Sequence, residues 1–562
     1  MAPPEYLCAN FDGESSECGK NARYTCKNCS LVAYCGRECQ KAHWPQHKID
    51  CKSPLIRDDW EPAWTVDNRR PSFYDEEKMQ YSPPVIKYLW GNIPAIDVLK
   101  LEDNEGVDYG NDLRLLFAAS GDLRNVLKTI AQLPTGYSHR VHVTINDIDL
   151  EIVCRNALFL LIAHAIQNTD EAADCIIHLW YSAYLRPSHI AILQTRIRPL
   201  IRAVCTGITS RAPKSLIGKS WIFGNRSLRL VMRRESWILL LALFQRNNAF
   251  TLEEAREIRD AVTANEARID WQERIFCCQP PKNRLCMQRF REDGILLPFG
   301  ASRADFTEPN PTLFLTNYWP LLDDADPSSG WYSKDIAETS SGPASSDFYG
   351  KLYYHIRDTA QAFIRRIASG QVSFRLLNLD AADLVDHVNG EHFSRIEISN
   401  LADTSWLGIH RTLLYMIPLL QSPTVNPHAT LITLFMNAVE DTLTGPEKVR
   451  KMNASVTARL RSYLMGGRLE KAPNVELIKT AMGMDIVCSY DDTFDRYAAL
   501  HNFGQAAAIL GTAIKEEPTI IEKWPYKLKL VPGQPMAQEE FTRVLGSWAI
   551  GKERYIEWKR IV

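Results

Sequence analysis

Eight side chains of the kinds that bind zinc lie among the first 51 residues of this 562-residue chain. From the third cysteine onward their spacing is C-x2-C, then C-x3-C, then H-x3-C. Cysteine thiolates bind zinc strongly, and a neutral imidazole can replace one thiolate in a four-coordinate site. Eight ligands divide evenly into two tetrahedra, so the sequence predicts two zinc ions. The candidate ligands are Cys8, Cys18, Cys26, Cys29, Cys35, Cys39, His47 and Cys51.

The clustering of the cysteines also indicates the cellular compartment of the protein. Seven of the 14 cysteines lie in the first 51 residues. A disulfide framework is the competing interpretation, but such frameworks belong to small secreted chains. The N-terminal residues lack the basic and then apolar order of a secretion signal, and no apolar run approaches the roughly 18 residues of a membrane span. We therefore expect a soluble intracellular protein, cytoplasmic or, as the alternative, nuclear.

The overall charge gives no sign of a nucleic-acid or membrane partner. The formal net charge is -2, and the cysteine-rich segment through Lys52 has seven basic and six acidic residues. Such a segment has no basic face that could grip phosphates. A composition of 45% hydrophobic and 23% charged residues is typical of globular domains. We expect a protein partner, no nucleic acid and no membrane, and the sequence leaves the oligomeric state open.

Local structure around the last ligands follows from their spacing. Cys39, His43 and His47 recur at helical intervals, and Pro45 is expected to interrupt any single continuous helix. His43 is one histidine more than two tetrahedra require. We favour a surface or packing role for it over metal binding.

Further along the chain, apolar runs that end in turn or acidic residues predict buried strands followed by helices. This alternation is typical of an α/β protein with a parallel sheet covered on both faces. We predict one Rossmann-like sheet, interrupted by a helical insertion and followed by a mainly helical region. Its strands are predicted at 113–120, 140–145, 372–378, 393–399 and 429–436, with a further strand at 526–531.

The same sequence patterns predict the domain boundaries. A linker rich in Pro, Asp and Trp should lie against the body, because its aromatic residues need burial. The predicted segments are the finger at 1–52, the linker at 53–85, the first half of the sheet domain at 86–175, the helical insertion at 176–370, the second half at 371–440 and the C-terminal region at 441–562.

The turns after the first strands contain residues that could bind S-adenosylmethionine. A methyltransferase fold ends its first strand in a glycine-rich loop and its second in an acid that binds ribose hydroxyls. Here the first turn offers Gly121 and Asp122, and the second offers Asp147 and Asp149. Asp380, after a later strand, could face the adenine.

The three acids of the first two turns also have a structural explanation. Asp147 and Asp149 can cap the helix that begins at residue 150, and Asp122 can cap the helix at 123. We favour capping over ribose binding. Only one glycine is present where three are common, and the side chains of Leu123 and Arg124 would crowd a nucleotide. A second cluster, His387, Glu391 and His392, matches no metal-site template, and we favour a solvated loop there.

The zinc-ligand segment resembles the MYND finger family. The residues that carry the resemblance are Tyr34-Cys35, Cys39-Gln40, His43-Trp44, His47-Lys48 and Cys51. The resemblance implies interleaved ligation, in which alternate ligand pairs share an ion. One zinc would take Cys8, Cys18, Cys35 and Cys39, and the other would take Cys26, Cys29, His47 and Cys51.

The chain departs from the family in the spacing of its first ligand pair. The family also suggests a peptide-docking groove near the C-terminal end of the finger. The family usually begins with C-x2-C, whereas Cys8 and Cys18 are separated by nine residues. The resemblance implies that Tyr34, Gln40 and Trp44 line a groove for short proline-containing peptides. The alternative is that Tyr34 and Trp44 only pack against the zinc knuckles, and the sequence leaves both open.

The body of the chain shows a second resemblance. The phrases LWGNIPAIDVL, LRLLFAASGDLRNVLKTI, VHVTINDIDLEIVCRNALFLL, FSRIEISNLADTSWLGI and NPHATLITLFMNAV resemble a domain of unknown function that accompanies MYND fingers in fungal proteins. Its N-terminal part is similar to the dynein axonemal assembly factor 3 family. The resemblance implies a fold related to S-adenosylmethionine-dependent methyltransferases and no particular reaction.

Two functions of different classes follow. The first is an interaction adaptor or assembly factor, whose finger docks partner peptides while a degenerate Rossmann-like body serves as a scaffold. The second is an S-adenosylmethionine-dependent methyltransferase, with the finger recruiting the substrate. The missing glycines favour the adaptor, with no catalytic residue assigned.

Overall fold

The computed structural model describes residues 6–12, 16–74, 86–245, 250–388, 390–464, 474–548 and 551–561. Fifteen strands lie in these ranges. They are β1 (Phe11–Asp12), β2 (Ser16–Glu17), β3 (Tyr24–Thr25), β4 (Ala33–Tyr34), β5 (Leu113–Phe117), β6 (Val141–Asn146), β7 (Tyr184–Leu185), β8 (Leu216–Phe223), β9 (Arg226–Arg233), β10 (Glu308–Pro309), β11 (Val372–Leu377), β12 (Arg395–Glu397), β13 (Thr430–Phe435), β14 (Thr512–Ile514) and β15 (Arg554–Arg560).

Helices make up most of the remaining regular structure, and in the described ranges none is long and apolar enough to cross a membrane. The α-helices are α1 (Arg37–Cys51), α2 (Ala63–Val66), α3 (Arg124–Ala131), α4 (Leu150–Ala165), α5 (Thr169–Tyr181), α6 (Pro187–Ile192), α7 (Arg198–Gly207), α8 (Arg234–Leu243), α9 (Leu252–Thr263), α10 (Ile269–Cys277), α11 (Pro281–Asp293), α12 (Ser333–Glu338), α13 (Phe348–Ser369), α14 (Leu384–His387), α15 (Gly408–Met416), α16 (Ala438–Thr442), α17 (Gly445–Lys451), α18 (Ala454–Tyr463), α19 (Val475–Val487), α20 (Asp491–Leu500), α21 (Phe503–Ile509) and α22 (Ala537–Leu545).

One large sheet organises the body of the protein. Its nine strands run in the order β14-β15-β13-β12-β5-β6-β11-β9-β8. The five strands β5, β6, β11, β12 and β13 pair in parallel with one another, which confirms the prediction that they share one parallel sheet. Their residues alternate between two cores: Leu115 and Phe117 lie in the core that includes α4, α5 and α13, and Leu116 and Ala118 lie in the core that includes α15, α20 and α21.

Two strands of this sheet come from the segment that we predicted to be a helical insertion. β8 and β9 form an antiparallel hairpin, and β9 pairs in parallel with β11. The prediction is wrong for these residues, because Leu228, Leu230 and Met232 alternate inward and are fully buried at the end of the sheet. The rest of the segment is mainly helical.

The C-terminal region also contributes to the sheet. β15 pairs antiparallel with β13 on one side and with β14 on the other, so the region is not only helical. The strand predicted at 526–531 is absent, and those described residues have no regular secondary structure. Tyr526 and Leu528 are nevertheless buried there, which explains the apolar pattern that suggested a strand.

The helix that carries the last zinc ligands is continuous. α1 runs through Pro45, contrary to our prediction that this proline interrupts it. A proline inside a helix removes one backbone hydrogen bond and costs about 3 kcal/mol. Cys39 lies before the proline and His47 and Cys51 lie after it, so metal binding to both halves can offset that cost.

The segment after the finger lies on the body in the described residues 53–74. Trp64 is 1% exposed and packs in a core with α18, α19 and α22. The guanidinium of Arg69 donates two hydrogen bonds of 2.7 Å to Asp270, and the backbone N–H of Ala63 donates to Glu273 at 2.7 Å. These contacts fix the finger's connection to the helical part of the body.

Candidate metal centre and docking surface

The first candidate metal centre joins the ends of the finger's loops to the start of α1. The thiol sulfurs of Cys8, Cys18, Cys35 and Cys39 lie within 4.8 Å of one another. The sulfurs of Cys18, Cys35 and Cys39 are 3.4–3.6 Å apart. A tetrahedron with zinc–sulfur bonds of 2.3 Å has edges of about 3.8 Å, so these four side chains fit one zinc ion. Cys8 takes its place despite the nine residues that separate it from Cys18.

The second candidate centre is buried. The ligand atoms of Cys26, Cys29, His47 and Cys51 also lie within 4.8 Å of one another. Cys26 and Cys51 sulfurs are 3.6 Å apart, and the Cys29 sulfur is 3.5 Å from His47 Nε2. The two sets alternate along the chain, so the structure brings the eight predicted side chains together in the predicted interleaved sets, which fit two zinc ions.

The surroundings of the second centre favour the forms that bind zinc. Burial lowers the pKa of His47 to about 4, which keeps its imidazole neutral at physiological pH. Burial raises the pKa of the Cys29 thiol, and a divalent cation among the sulfurs would oppose that shift. Asn28 Nδ2 donates to the Cys51 carbonyl at 2.8 Å and lies 3.3 Å from its sulfur, so Asn28 orients a ligand from outside the tetrad.

The finger packs directly on the body. Arg289 on α11 donates a hydrogen bond of 2.8 Å to Asp50 on α1, and its guanidinium lies 4.0 Å from the centre of the Phe299 ring. Gly300 lies so close to the finger that a Cβ there would come within 2.9 Å of Ala9. The finger's position relative to the body is therefore fixed by packing as well as by the connecting segment.

The three predicted groove residues have different exposures. Trp44 is 39% exposed on α1, and its ring lies edge-on to the His47 ring at 5.9 Å. Gln40 is half-buried on the same helix. Tyr34 is only 1% exposed, so it supports the surface from below and cannot line a groove. Its hydroxyl lies 3.0 Å from His43 Nδ1, and His43 belongs to neither ligand set, as predicted.

A cavity of about 560 Å³ opens beside this helix. It lies between α1 and the body, and the exposed Ile49 forms part of its wall. The sequence did not reveal it, because three of its eight lining residues come from the body. The residues that line it are Val32, His43, Gln46, Ile49, Asp50, Arg289, Phe299 and Gly300.

At the carboxyl ends of the parallel strands, the predicted cofactor residues come together in part. Asp147, just after β6, accepts hydrogen bonds from the N–H of Gly121 at 2.8 Å and from the N–H of Asp149 at 2.8 Å. Asp147 is 8% exposed, and burial raises its pKa. Both of its oxygens are thus engaged by backbone donors that join the turns after β5 and β6.

The other two acids at this edge have local roles. Asp149 is the N-cap of α4, where it accepts from the N–H groups of Glu151 and Ile152 at 2.9 and 3.3 Å and pairs with Lys87. Capping is therefore confirmed for Asp149. Asp380 is exposed after β11 and accepts from the N–H of Ala382 at 2.9 Å.

Arg124, three residues after Gly121, is buried and bonds to other parts of the body. Its Nε lies 2.7 Å from Asp122 Oδ1, and both side chains are less than a tenth exposed. Its Nη1 donates to the carbonyls of Ile93 and, at 3.0 Å, Gly330. Arg124 therefore fastens two distant loops near the carboxyl end of β5. A Cβ added at Gly121 would meet no atom within 4 Å, so the crowding of a nucleotide there stays a prediction.

Sequence reasoning missed one acid at the point where the sheet reverses its winding. Glu397 ends β12 next to β5, is 4% exposed, and accepts from the N–H of Ser399 at 2.7 Å. Its Oε2 has no hydrogen-bond partner among the described residues. Burial raises the pKa of Glu397 to about 7. The sequence FSRIEIS did not indicate that this acid is buried. It alternates polar and apolar residues, and such a strand normally exposes its acids to solvent.

The cluster of His387, Glu391 and His392 is not a metal centre in the described ranges. Glu391 accepts hydrogen bonds from Arg375 at 2.6 and 3.0 Å, and both histidines are exposed. The two cysteine-rich sets are the groups with metal-binding geometry in the part of the chain that the structure describes.

Comparisons with known families match two parts of the chain. Residues 16–51 match the MYND finger, and residues 89–185 match a domain of unknown function, DUF4470. The chain thus contains a MYND zinc finger and a DUF4470 domain. The matched finger begins after Cys8, the ligand whose spacing departs from the family pattern.

Similarity to individual proteins is limited to a short stretch. N-lysine methyltransferase SMYD2 of Rattus norvegicus and of Mus musculus is 37% identical over 70 residues, which are 11% of this chain and 16% of the relative. The Homo sapiens protein is 44% identical over 43 residues, 7% of this chain and 10% of the relative. The chain therefore matches about a sixth of these relatives at most. No solved structure matches.

Proposed function

We propose that this protein is an interaction adaptor or assembly factor, in which the zinc-bound finger docks a proline-containing segment of a partner protein. The observation that carries the proposal is the pair of metal tetrads beneath an exposed Trp44 on α1. MYND fingers mediate protein–protein interaction, and the zinc ions would hold this surface in one conformation.

The arrangement of α1 supports a docking role for its outer face. Trp44 is a large, partly apolar side chain whose position is set by the ring of a zinc ligand, and such rigid aromatic residues contribute most to many interfaces. Gln40 offers amide hydrogen bonds one turn earlier on the helix. The cavity beside Ile49 provides room for a bound segment to continue towards the body.

For the body we propose a Rossmann-like scaffold. Counted in chain order among themselves, the five strands β5, β6, β11, β12 and β13 lie as third, second, first, fourth and fifth, which is the order of a doubly wound α/β sheet. β9 extends this sheet in parallel beside β11. In such sheets a ligand binds at the carboxyl ends, where the strand order reverses. Here Asp122 is paired with Arg124, and Asp147 is bonded to the backbone, so we propose that the scaffold has no cofactor.

The alternative is an S-adenosylmethionine-dependent methyltransferase with the finger recruiting its substrate. The strand order is compatible with it, but the similarity to SMYD2 covers too little of the chain to support it. Calorimetry of the intact protein with S-adenosylmethionine tests this alternative. We expect no heat of binding at millimolar cofactor, and micromolar binding would make the methyltransferase the leading function.

The docking proposal is tested with the intact zinc-loaded protein. The probe is an array of fluorescent decapeptides, each with a central proline, together with copies that carry alanine instead. We expect selective binding of some proline peptides, weakened about tenfold or more by Trp44→Ala. Lys41→Ala, an exposed change on the same helix, is the matched control and should leave binding unchanged.

Zinc content is measured for every variant, because Trp44 contacts a ligand ring. Loss of peptide binding with two zinc ions retained assigns the effect to the surface. If no peptide in the array binds, or if the bound peptides ignore both Trp44→Ala and the proline, the finger does not dock such segments and the proposal fails.

A further inference from the structure

A second surface, formed by the hairpin β8–β9, is positively charged, although the net charge of the whole chain is slightly negative. Residues 175–234 contain eleven lysines and arginines and no aspartate or glutamate. In a chain of net charge -2, this is a strong local asymmetry. The hairpin lies at one end of the large sheet and contributes four of these eleven residues, Lys219, Arg226, Arg229 and Arg233.

The outer strand of this hairpin has a free edge. β8 is the last strand in the sheet order and pairs only with β9 among the described strands. In an edge strand of eight residues, the N–H and C=O groups of alternate residues point away from the sheet. The strand is held in place by its partner and by Trp237, whose indole N–H donates to the Ile217 carbonyl at 3.1 Å.

One face of the hairpin combines positive charge with exposed apolar side chains. Directly paired residues of antiparallel strands lie on the same face, so Leu216 lies beside Arg233 and Ser220 beside Arg229. Arg229 and Arg233 are exposed, and Ile222, on this same face, is 78% exposed. The opposite face carries Leu228 and the other buried residues of β9.

Arg229 reaches from β9 across β8 towards the free edge. Its guanidinium lies over Gly218, where an added Cβ would come within 2.7 Å of Nη2, and Nη1 donates to Ser220 Oγ at 3.3 Å. In the described part of the chain, neither Arg229 nor Arg233 pairs with a carboxylate. An incoming strand would therefore meet unneutralised guanidinium groups beside the open backbone edge.

We infer that β8 is a docking edge for an acidic extended segment of a partner protein, which adds to the sheet as a tenth strand. The backbone edge supplies a ladder of hydrogen bonds, Arg229 and Arg233 supply attraction for carboxylates, and Leu216 and Ile222 supply apolar contacts between them. A strand that alternates acidic and apolar residues matches this surface.

Other occupants match it less well. A nucleic acid would satisfy the arginines but has no backbone groups that continue a β-ladder. A second copy of this chain, paired β8 to β8, would bring Lys219 and Arg229 of both molecules together, and like charges placed opposite each other destabilise a strand pair. An acidic polypeptide satisfies the edge and the charge together.

The test uses the intact protein and a fluorescein-labelled nonapeptide of alternating glutamate and valine. A matched peptide with proline in place of the central valine cannot complete the ladder, and a single-stranded oligothymidylate serves as a polyanion of another class. We expect saturable binding of the alternating peptide, about tenfold weaker binding of the proline peptide and no stronger binding of the oligothymidylate. Amide hydrogen exchange at residues 216–223 should slow when the peptide is bound.

Charge-reversal variants assign the site. Arg229→Glu combined with Arg233→Glu should weaken peptide binding about tenfold or more. Arg411→Glu combined with Arg461→Glu changes the net charge equally at exposed positions on α15 and α18 and should have little effect. Trp44→Ala should also leave this binding unchanged, which separates the site from the finger. Unfolding temperature and zinc content verify that every variant is folded.

The proposal is overturned by any of three results. These are no binding of the alternating peptide, equal binding of the proline peptide, or equal losses in the Arg229/Arg233 and Arg411/Arg461 variants. Tighter binding of oligothymidylate, lost with Arg229→Glu and Arg233→Glu, would show instead that the surface serves nucleic acid.

Discussion

The finger and the carboxyl edge of the large sheet both gather polar side chains suited to a ligand, but at the sheet edge the protein's own groups already engage Asp122, Asp147 and Asp149. In the finger, eight ligand atoms converge into two sets with spacings that suit zinc. At the sheet edge, Asp147 is bonded to two backbone N–H groups, and Asp122 is paired with Arg124. The type and position of a residue therefore indicate a ligand site only when the protein's own donors have not already satisfied it.

The largest expected effect comes from breaking the finger. Cys29→Ala removes a ligand from the buried tetrad, and structural zinc contributes on the order of 10 kcal/mol to the folding of such units. We expect metal analysis to find fewer than two zinc ions per chain and limited proteolysis to cut within residues 16–51. Cys175→Ala, at a buried cysteine of α5, is the control and should retain two zinc ions. Two zinc ions in Cys29→Ala would contradict the ligand assignment.

At the sheet edge, the largest effect should come from Arg124. Arg124→Ala leaves Asp122 buried without its partner and frees the carbonyls of two loops, so we expect a loss of about 3–5 kcal/mol in the free energy of unfolding. Denaturant unfolding measures this loss. Arg375→Ala, which breaks a more exposed pair with Glu391, should cost about 1 kcal/mol or less. Similar losses in the two variants would show that the edge is not held closed by Arg124.

Glu397 gives a pH-dependent test of the same edge. Its pKa is raised from 4.5 to about 7, so the folded protein holds a proton that the unfolded chain releases. The resulting stabilisation is complete below about pH 4.5 and is lost as the pH rises through about 7. Glu397→Gln mimics the protonated form, so its unfolding free energy should exceed that of the parent at pH 8 by up to about 3 kcal/mol. The difference in unfolding free energy should vanish near pH 4. A constant difference between pH 4 and pH 8 would contradict the raised pKa of Glu397.

The smallest effect separates capping from ligand binding at the start of α4. Asp149→Ala removes the N-cap, so we expect a loss of about 1 kcal/mol in the free energy of unfolding. Asp380→Ala removes an exposed acid from a turn, and it should lower the free energy of unfolding by only about 0.3 kcal/mol. Thermal or denaturant unfolding of both variants measures the ranking. A larger loss for Asp380→Ala would mean that it has a structural role that its exposed position does not indicate.

The sequence was most informative where short-range spacing determines the geometry. The eight ligands follow from spacing, and their division into two sets followed from the family resemblance. The five parallel strands were predictable because each is an apolar run that ends in a turn. The continuous α1 was not, because the effect of Pro45 depends on ligands that lie on both sides of it.

One missed strand, β15, contains a polar residue that is satisfied far away in the sequence. In β15, Glu557 is buried and accepts hydrogen bonds from the N–H groups of Ile520 and Ile521 at 2.7 and 2.9 Å. Nothing in RYIEWKR shows that such donors exist. The hairpin β8–β9 did leave a signal, because Gly224 and Asn225 form a two-residue connection between two runs of strand-forming residues.

The position of β15 inside the sheet has a consequence for how the protein is made. β13 ends at residue 435, but the strand that covers its outer edge ends at residue 560. At a synthesis rate of about 5–20 residues per second, the ribosome needs on the order of ten seconds to produce the intervening chain. Until that chain has been made, the strand that pairs with the outer edge of β13 is missing, so this edge cannot take its final form before synthesis is nearly complete.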